Sequence, residues 1–193
     1  KEQGYKNAKE KRSVCLCVVL CALSVLLTAC SAGGKDGVVT CDGFELKLGK
    51  TTVAQLENAG FSNYYSSLFE ETKKIESMSS DVFYAKKDDL FYGYMFAVNK
   101  TASPIEFEKC VIREVTIYYD APDYPFGEVL VNGVDFEGYT REEIKEAMGD
   151  REITMDTDTY LGFVSGDYNY VFTFADDSET LISLWAVAGF KQK

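Results

Sequence analysis

Two stretches of the chain repeat one succession of apolar and polar positions: Phe44-Glu-Leu-Lys-Leu-Gly-Lys-Thr-Thr-Val-Ala-Gln-Leu-Glu-Asn-Ala-Gly60 and Val134-Asp-Phe-Glu-Gly-Tyr-Thr-Arg-Glu-Glu-Ile-Lys-Glu-Ala-Met-Gly149. Each has a Gly, then a Thr followed three positions on by Gln or Glu: Thr52 with Gln55, and Thr140 with Glu143. This spacing predicts a capping box, because the Thr hydroxyl and the Gln or Glu side chain accept hydrogen bonds from the free backbone N–H groups of a helix's first turn. Val53, Leu56 and Ala59 then recur at helical spacing, as do Ile144, Ala147 and Met148, and Gly60 and Gly149 supply stops. Two short helices are expected, each with one apolar face.

Behind each helix the period changes from helical to alternating. Asp81 to Lys86, Leu90 to Lys100 and Cys110 to Tyr119 read as strands after the first helix, and Asp158 to Val164, Asp167 to Ala175 and Leu181 to Val187 after the second. The middle strands share an aromatic motif, Tyr92-Gly-Tyr94-Met-Phe96 and Tyr168-Asn-Tyr170-Val-Phe172. Extra residues near Tyr64 to Ser80 read as a loop or a short additional helix. Asp120-Ala-Pro-Asp-Tyr-Pro125 reads as the connection between the two sets. A unit this small buries too little apolar surface by itself. The expected fold is therefore α+β, with two tandem helix-then-three-strand units sharing one antiparallel sheet and both helices on one face.

The N-terminus follows a different pattern. Lys1, Lys6, Lys9, Lys11 and Arg12 precede an unbroken, mostly apolar stretch from Ser13 to Cys30, the layout of an export signal. The apolar run from Val14 to Ala29 is 16 residues, short of the roughly 20 that a membrane-crossing helix needs. Its end, Leu27-Thr28-Ala29-Cys30, resembles the bacterial lipobox. That resemblance implies cleavage before Cys30, acylation of its sulfur and anchoring by two or three acyl chains, where one would be marginal. The expected organisation is a lipoprotein signal peptide over 1–29, a lipidated Cys30 and flexible tether over 30–41, and one domain over 42–193 made of units at about 42–120 and 126–193. The protein is then exported and held on the outer side of the cytoplasmic membrane or in the outer membrane.

Charge and composition narrow the chemistry. The chain has 20 Lys and Arg against 31 Asp and Glu, a formal charge of −11, and removal of residues 1–29 takes this to −14. No basic patch capable of neutralising a run of phosphates is visible, which argues against nucleic acid, and long-range steering favours a basic partner. Histidine is absent, which removes imidazole from every nucleophilic triad, metal site and proton shuttle. No phosphate-binding glycine loop or nucleophile elbow is present, so the chain is expected to be no enzyme and to carry no cofactor or catalytic residue. Asp156-Thr-Asp158 and Asp176-Asp-Ser-Glu179 match no calcium loop and read as acidic turns. Of six cysteines, Cys15, Cys17 and Cys21 leave with the signal and Cys30 takes lipid. Cys41 and Cys110 remain, as a disulfide or as two small buried thiols.

Gly138-Tyr-Thr140, Ala147-Met-Gly149 and Tyr168-Asn-Tyr170, with a weaker copy at Gly49-Lys-Thr51 and Tyr92-Gly-Tyr94, are similar to the tandem module of the β-lactamase inhibitory protein family. The second unit also resembles the small lipoprotein of the outer-membrane β-barrel assembly machinery. Where that family pattern has a Pro after the helix-ending Gly, this chain has Asp150. The resemblance implies a noncatalytic surface that binds protein on the sheet face away from the helices.

Alternation assigns residues to faces. Ile182, Leu184 and Ala186 form an inward row, which sends Ser183 and Trp185 outward. Tyr168, Tyr170, Phe172 and Phe174 form another inward row, and Tyr92 and Tyr94 are expected in the core as well. Ile112, Glu114, Thr116 and Tyr118 read as outward, joined by Tyr160, Phe91 and Met95. Trp, Tyr, Met and scattered acids on an open face suit a protein-recognition hot spot. The candidate partner-binding residues are Tyr160, Trp185, Tyr118, Glu114, Met95 and Phe91, and the expected partner is a basic envelope or extracellular protein. A small-ligand or cation sensor is the alternative, and a carboxylate-based hydrolase ranks behind it.

Overall fold

The computed structural model describes residues 36–64, 74–120, 125–176 and 179–189. The expected signal, the lipobox and the lipid site Cys30 lie outside the described residues, as does most of the segment from Tyr64 to Ser80 expected as a loop or a short additional helix. Both capping boxes form. Helix α1 (Val53–Asn58) starts at Thr52, whose hydroxyl accepts from the Gln55 N–H while the Gln55 side chain accepts from the Thr52 N–H at 2.9 Å. Helix α2 (Arg141–Met148) repeats the device with Thr140 and Glu143. The two bonds to Thr140 favour the ionised carboxylate and hold the Glu143 carboxyl below its ordinary pKa.

The fold is mainly β with a minor helical part. The strands are β1 (Val38–Cys41), β2 (Phe44–Lys47), β3 (Ser62–Tyr64), β4 (Lys74–Ile75), β5 (Ser80–Lys87), β6 (Leu90–Val98), β7 (Ile105–Glu106), β8 (Val111–Tyr118), β9 (Val129–Val131), β10 (Glu152–Asp156), β11 (Tyr160–Ser165), β12 (Tyr168–Phe174) and β13 (Leu181–Ala188). Eight of them form one antiparallel sheet in the order β10-β11-β12-β13-β8-β6-β5-β3, while β2-β1-β9 and β4-β7 form two small sheets. Four sheet strands thus follow each helix rather than three. The additional ones are β3 and β10, short and exposed edge strands with no inward apolar row to announce them. The described structure also reaches back into the stretch expected as tether. Val38–Cys41 is strand β1, and Asp36 is fastened by Arg151 at 2.7 Å and by the Ser165 hydroxyl at 2.5 Å.

One side of the large sheet carries the core. Met95, Ile112, Val115, Leu184, Phe172 and Phe163 join Val53 and Leu56 of α1, Ile144 and Met148 of α2 and Val39 of the small sheet in a single buried cluster. Cys41 and Cys110 are both buried free thiols in this structure. Burial pushes the Cys41 thiol up to about 12, with Asp42 adding to the shift. Asn99 accounts for one turn of the chain by itself. It is fully buried, its Nδ2 donates to the carbonyls of Ile75, Glu76 and Ser103, and its Oδ1 accepts from the backbone and hydroxyl of Thr101. Among the described residues no helix is long and apolar enough to cross a membrane.

Candidate functional site

Directly opposed residues in an antiparallel ladder share a face, so the register traces the side of the sheet away from the core. One row runs Tyr64, Tyr84, Tyr94, Thr116, Trp185, Val171, Gly162, Met155 across all eight strands. Beside it lies Val82, Phe96, Glu114, Val187, Asn169, Val164, Glu152. Tyr118, Ser183, Thr173 and Tyr160 form a third. None of these residues belongs to the core cluster.

Four of the five strands from β3 to β13 supply a layer of rings. Tyr84 lies on Tyr94 with centroids 3.7 Å apart, Phe91 meets Tyr64 and Tyr84 edge-on at 5.4 and 5.5 Å, and Tyr94 meets Tyr118 edge-on at 5.7 Å. Such edge-to-face contacts align the positive ring edge with the negative ring face. Burial, with Tyr94 next to it, raises the Tyr118 hydroxyl pKa. Trp185 donates its indole N–H to Glu114 Oε2 at 3.2 Å, so the carboxylate fixes the ring on the β8–β13 seam at the middle of the sheet. On the four central strands, β6, β8, β13 and β12, Glu114 is the one charged residue in these rows.

The expected site residues separate. Trp185, Tyr118 and Glu114 come together on the open face, and Tyr160 stands on the same face, 43% exposed. Phe91 also lies on that face, but its neighbours leave it only 7% exposed. Met95 does not belong there: it pairs with Phe83 and Val115 on the core side and is fully buried. Ile112 is likewise in the core, because Phe96 opposes Glu114 while Ala97 opposes Ile112, which leaves Arg113 as a bulge and inverts the parity. Tyr94 is reversed in the other sense, outward instead of inward. Tyr92 and Gly93 together face Ala85, a second bulge that turns Tyr92 to the core and Tyr94 away from it. Gly93 is required there: its φ is +97°, and a Cβ would stand 2.6 Å from the Thr116 carbonyl oxygen.

A cavity of about 600 Å³ is lined by Tyr118, Tyr119, Phe126, Asp120, Glu128, Asp135 and Glu137 together with the core residues Ile117 and Val129. The acidic turn at Asp156 is not a free ligand set, since Arg141 reaches it at 3.0 Å and Lys145 at 3.2 Å. Among the described residues no group of three or more acids or thiols is gathered as a metal site. No protein-family model, no curated protein and no solved structure matches this chain.

Proposed function

We propose that the chain is a membrane-anchored, noncatalytic envelope lipoprotein that binds another protein through the open face of its large sheet. Two tandem units, each a capped helix followed by sheet strands, meet at the β8–β13 seam with both helices on one face. Lipid on Cys30 holds the domain to the membrane. The observation that carries this reading is the layer of rings Tyr64, Tyr84, Tyr94 and Tyr118 on the face away from the core cluster, with Trp185 beyond Thr116 on the same face. Rigid rings around one central carboxylate are the composition of an interface hot spot, and Glu114 with the acidic remainder of the chain suits a basic partner.

The test is crosslinking in intact cells followed by capture of the lipidated protein, with wild type beside a Tyr94→Ala, Trp185→Ala double variant. A defined partner recovered with the first and lost with the second is the expected result. The same proteins recovered with both would overturn the reading. The cavity, with four acidic residues and two tyrosines in its lining, favours a second reading, a sensor of small organic cations. Under that reading, heat of binding for spermidine would vanish when Asp135 and Glu137 are both replaced by Ala.

A further inference from the structure

The strands of the large sheet end in two different kinds of turn. At one end the connections are acidic: Asp88 and Asp89 join β5 to β6, Asp158 lies between β10 and β11, Asp176 and Glu179 lie between β12 and β13, and Asp120 follows β8. At the other end the β11–β12 turn holds Asp167, residues 77–80 lead into β5 and residues 99–104 follow β6. These last two segments form a tip whose one charge is the exposed Lys100. Asn99 ties the tip together through the carbonyls of Glu76 and Ser103, and the Ser77 hydroxyl donates to the Thr101 carbonyl at 3.0 Å. Met78 projects from it, 75% exposed, the most exposed large apolar side chain among the described residues. Its φ is +56°, a left-handed conformation that suits Gly, Asn or Asp better than Met. The other described non-glycine residues at positive φ are Asp42, Asp88, Asp89 and Asn132. Neither packing nor backbone geometry calls for a long apolar side chain at 78, whereas contact with a membrane surface would.

The chain enters the domain at this same end. Asp36 is held by Arg151 and by the Ser165 hydroxyl, and Gly37 lies against the Tyr168 ring, both at the β11–β12 turn. From Asp36 back to Cys30 is six residues, which span at most about 22 Å when extended. β5 lies four strand spacings from β12, about 19 Å, a distance those residues cover. Lipid on Cys30 therefore brings a bilayer to the end that carries Met78 and Lys100. The acidic turns are at the far ends of the strands, where repulsion from lipid phosphates is least.

We propose that the domain stands by this end on the bilayer that holds its lipid, with Met78 entering the headgroup boundary and Lys100 meeting the phosphates. The inference rests on lipidation of Cys30 and not on the aromatic face. The test uses the lipidated chain in vesicles of phosphatidylethanolamine and phosphatidylglycerol, with a fluorophore on Ser79→Cys or on Asp158→Cys and a nitroxide on the lipid headgroup as quencher. Both positions are exposed. Quenching at 79 is several-fold stronger than at 158, and in Met78→Asp it falls to the level of 158 while flotation with the vesicles and the melting temperature stay unchanged. Asp is at ease at positive φ, so this variant keeps the fold. Equal quenching at the two positions, stronger quenching at 158, or quenching at 79 that survives Met78→Asp would overturn the proposal and leave the anchor standing. An intact mass without acyl chains on Cys30 would overturn the anchor, and the proposal with it.

Discussion

β6 and β12 carry the same aromatic alternation and present it to opposite sides of one sheet. In β12, Tyr170 and Phe172 point into the core. In β6, Tyr94 and Phe96 point away from it, and Met95 and Ala97 take the inward positions. What differs is the residues between the rings. Asn169 and Thr173 cannot be buried without partners for their polar groups, so the aromatics of β12 must turn inward. Met95 and Ala97 fill a core without that cost, which frees the β6 rings for the surface. The open face is consequently aromatic over β3 to β8 and mostly small or polar over β12 and β11.

Paired truncations test this directly. Phe172→Ala is expected to cost about 3–5 kcal/mol by urea unfolding, and Phe96→Ala, half-buried outside the core, under about 1.5 kcal/mol. Equal losses would mean that the two strands share an orientation. Alkaline pH separates the faces next. Burial raises the Cys41 thiol from an ordinary 9.0 to about 12 and also raises the Tyr170 hydroxyl. The folded state therefore holds these protons more tightly than the unfolded one. The stability they contribute is fully present below pH 9 and is lost as pH rises toward 12, by up to about 4 kcal/mol for Cys41. Cys41→Ala should flatten that decline in melts recorded across the window, and an unchanged slope would contradict the burial of this thiol. The bulge that reverses β6 gives a smaller effect. Gly93→Ala is expected to cost about 2–3 kcal/mol, from strain at positive φ and a contact with backbone. Gly162→Ala in β11, which meets chiefly movable side-chain atoms of Thr154 and Met155, should cost under about 1 kcal/mol. Thermal melts of the two variants decide it.

Much of this architecture was legible in local chemistry. Thr52 with Gln55 and Thr140 with Glu143 announced both helices, and the inward burial of Phe172, Phe174 and Leu184 followed from alternation. Trp185, Tyr118 and Glu114 were legible on the open face for the same reason. Met95, Ile112 and Tyr94 were not, because a bulge shifts parity by one residue and every side chain beyond it changes face. In β6 both rows are apolar, so alternation there does not say which is inside. β3 and β10 escaped because an exposed edge strand needs no apolar row, and β1, β2 and β9 because their pairing is set by the core they cover rather than by their own pattern.

The most direct test of the open face as a binding surface is a photo-crosslinking amino acid placed in living cells at Thr116, at the centre of that face, and separately at Glu146, exposed on α2 on the other side. A discrete protein adduct from position 116 and none from 146 is the predicted result. An adduct from 146 alone, equal adducts from both, or none from either would contradict it.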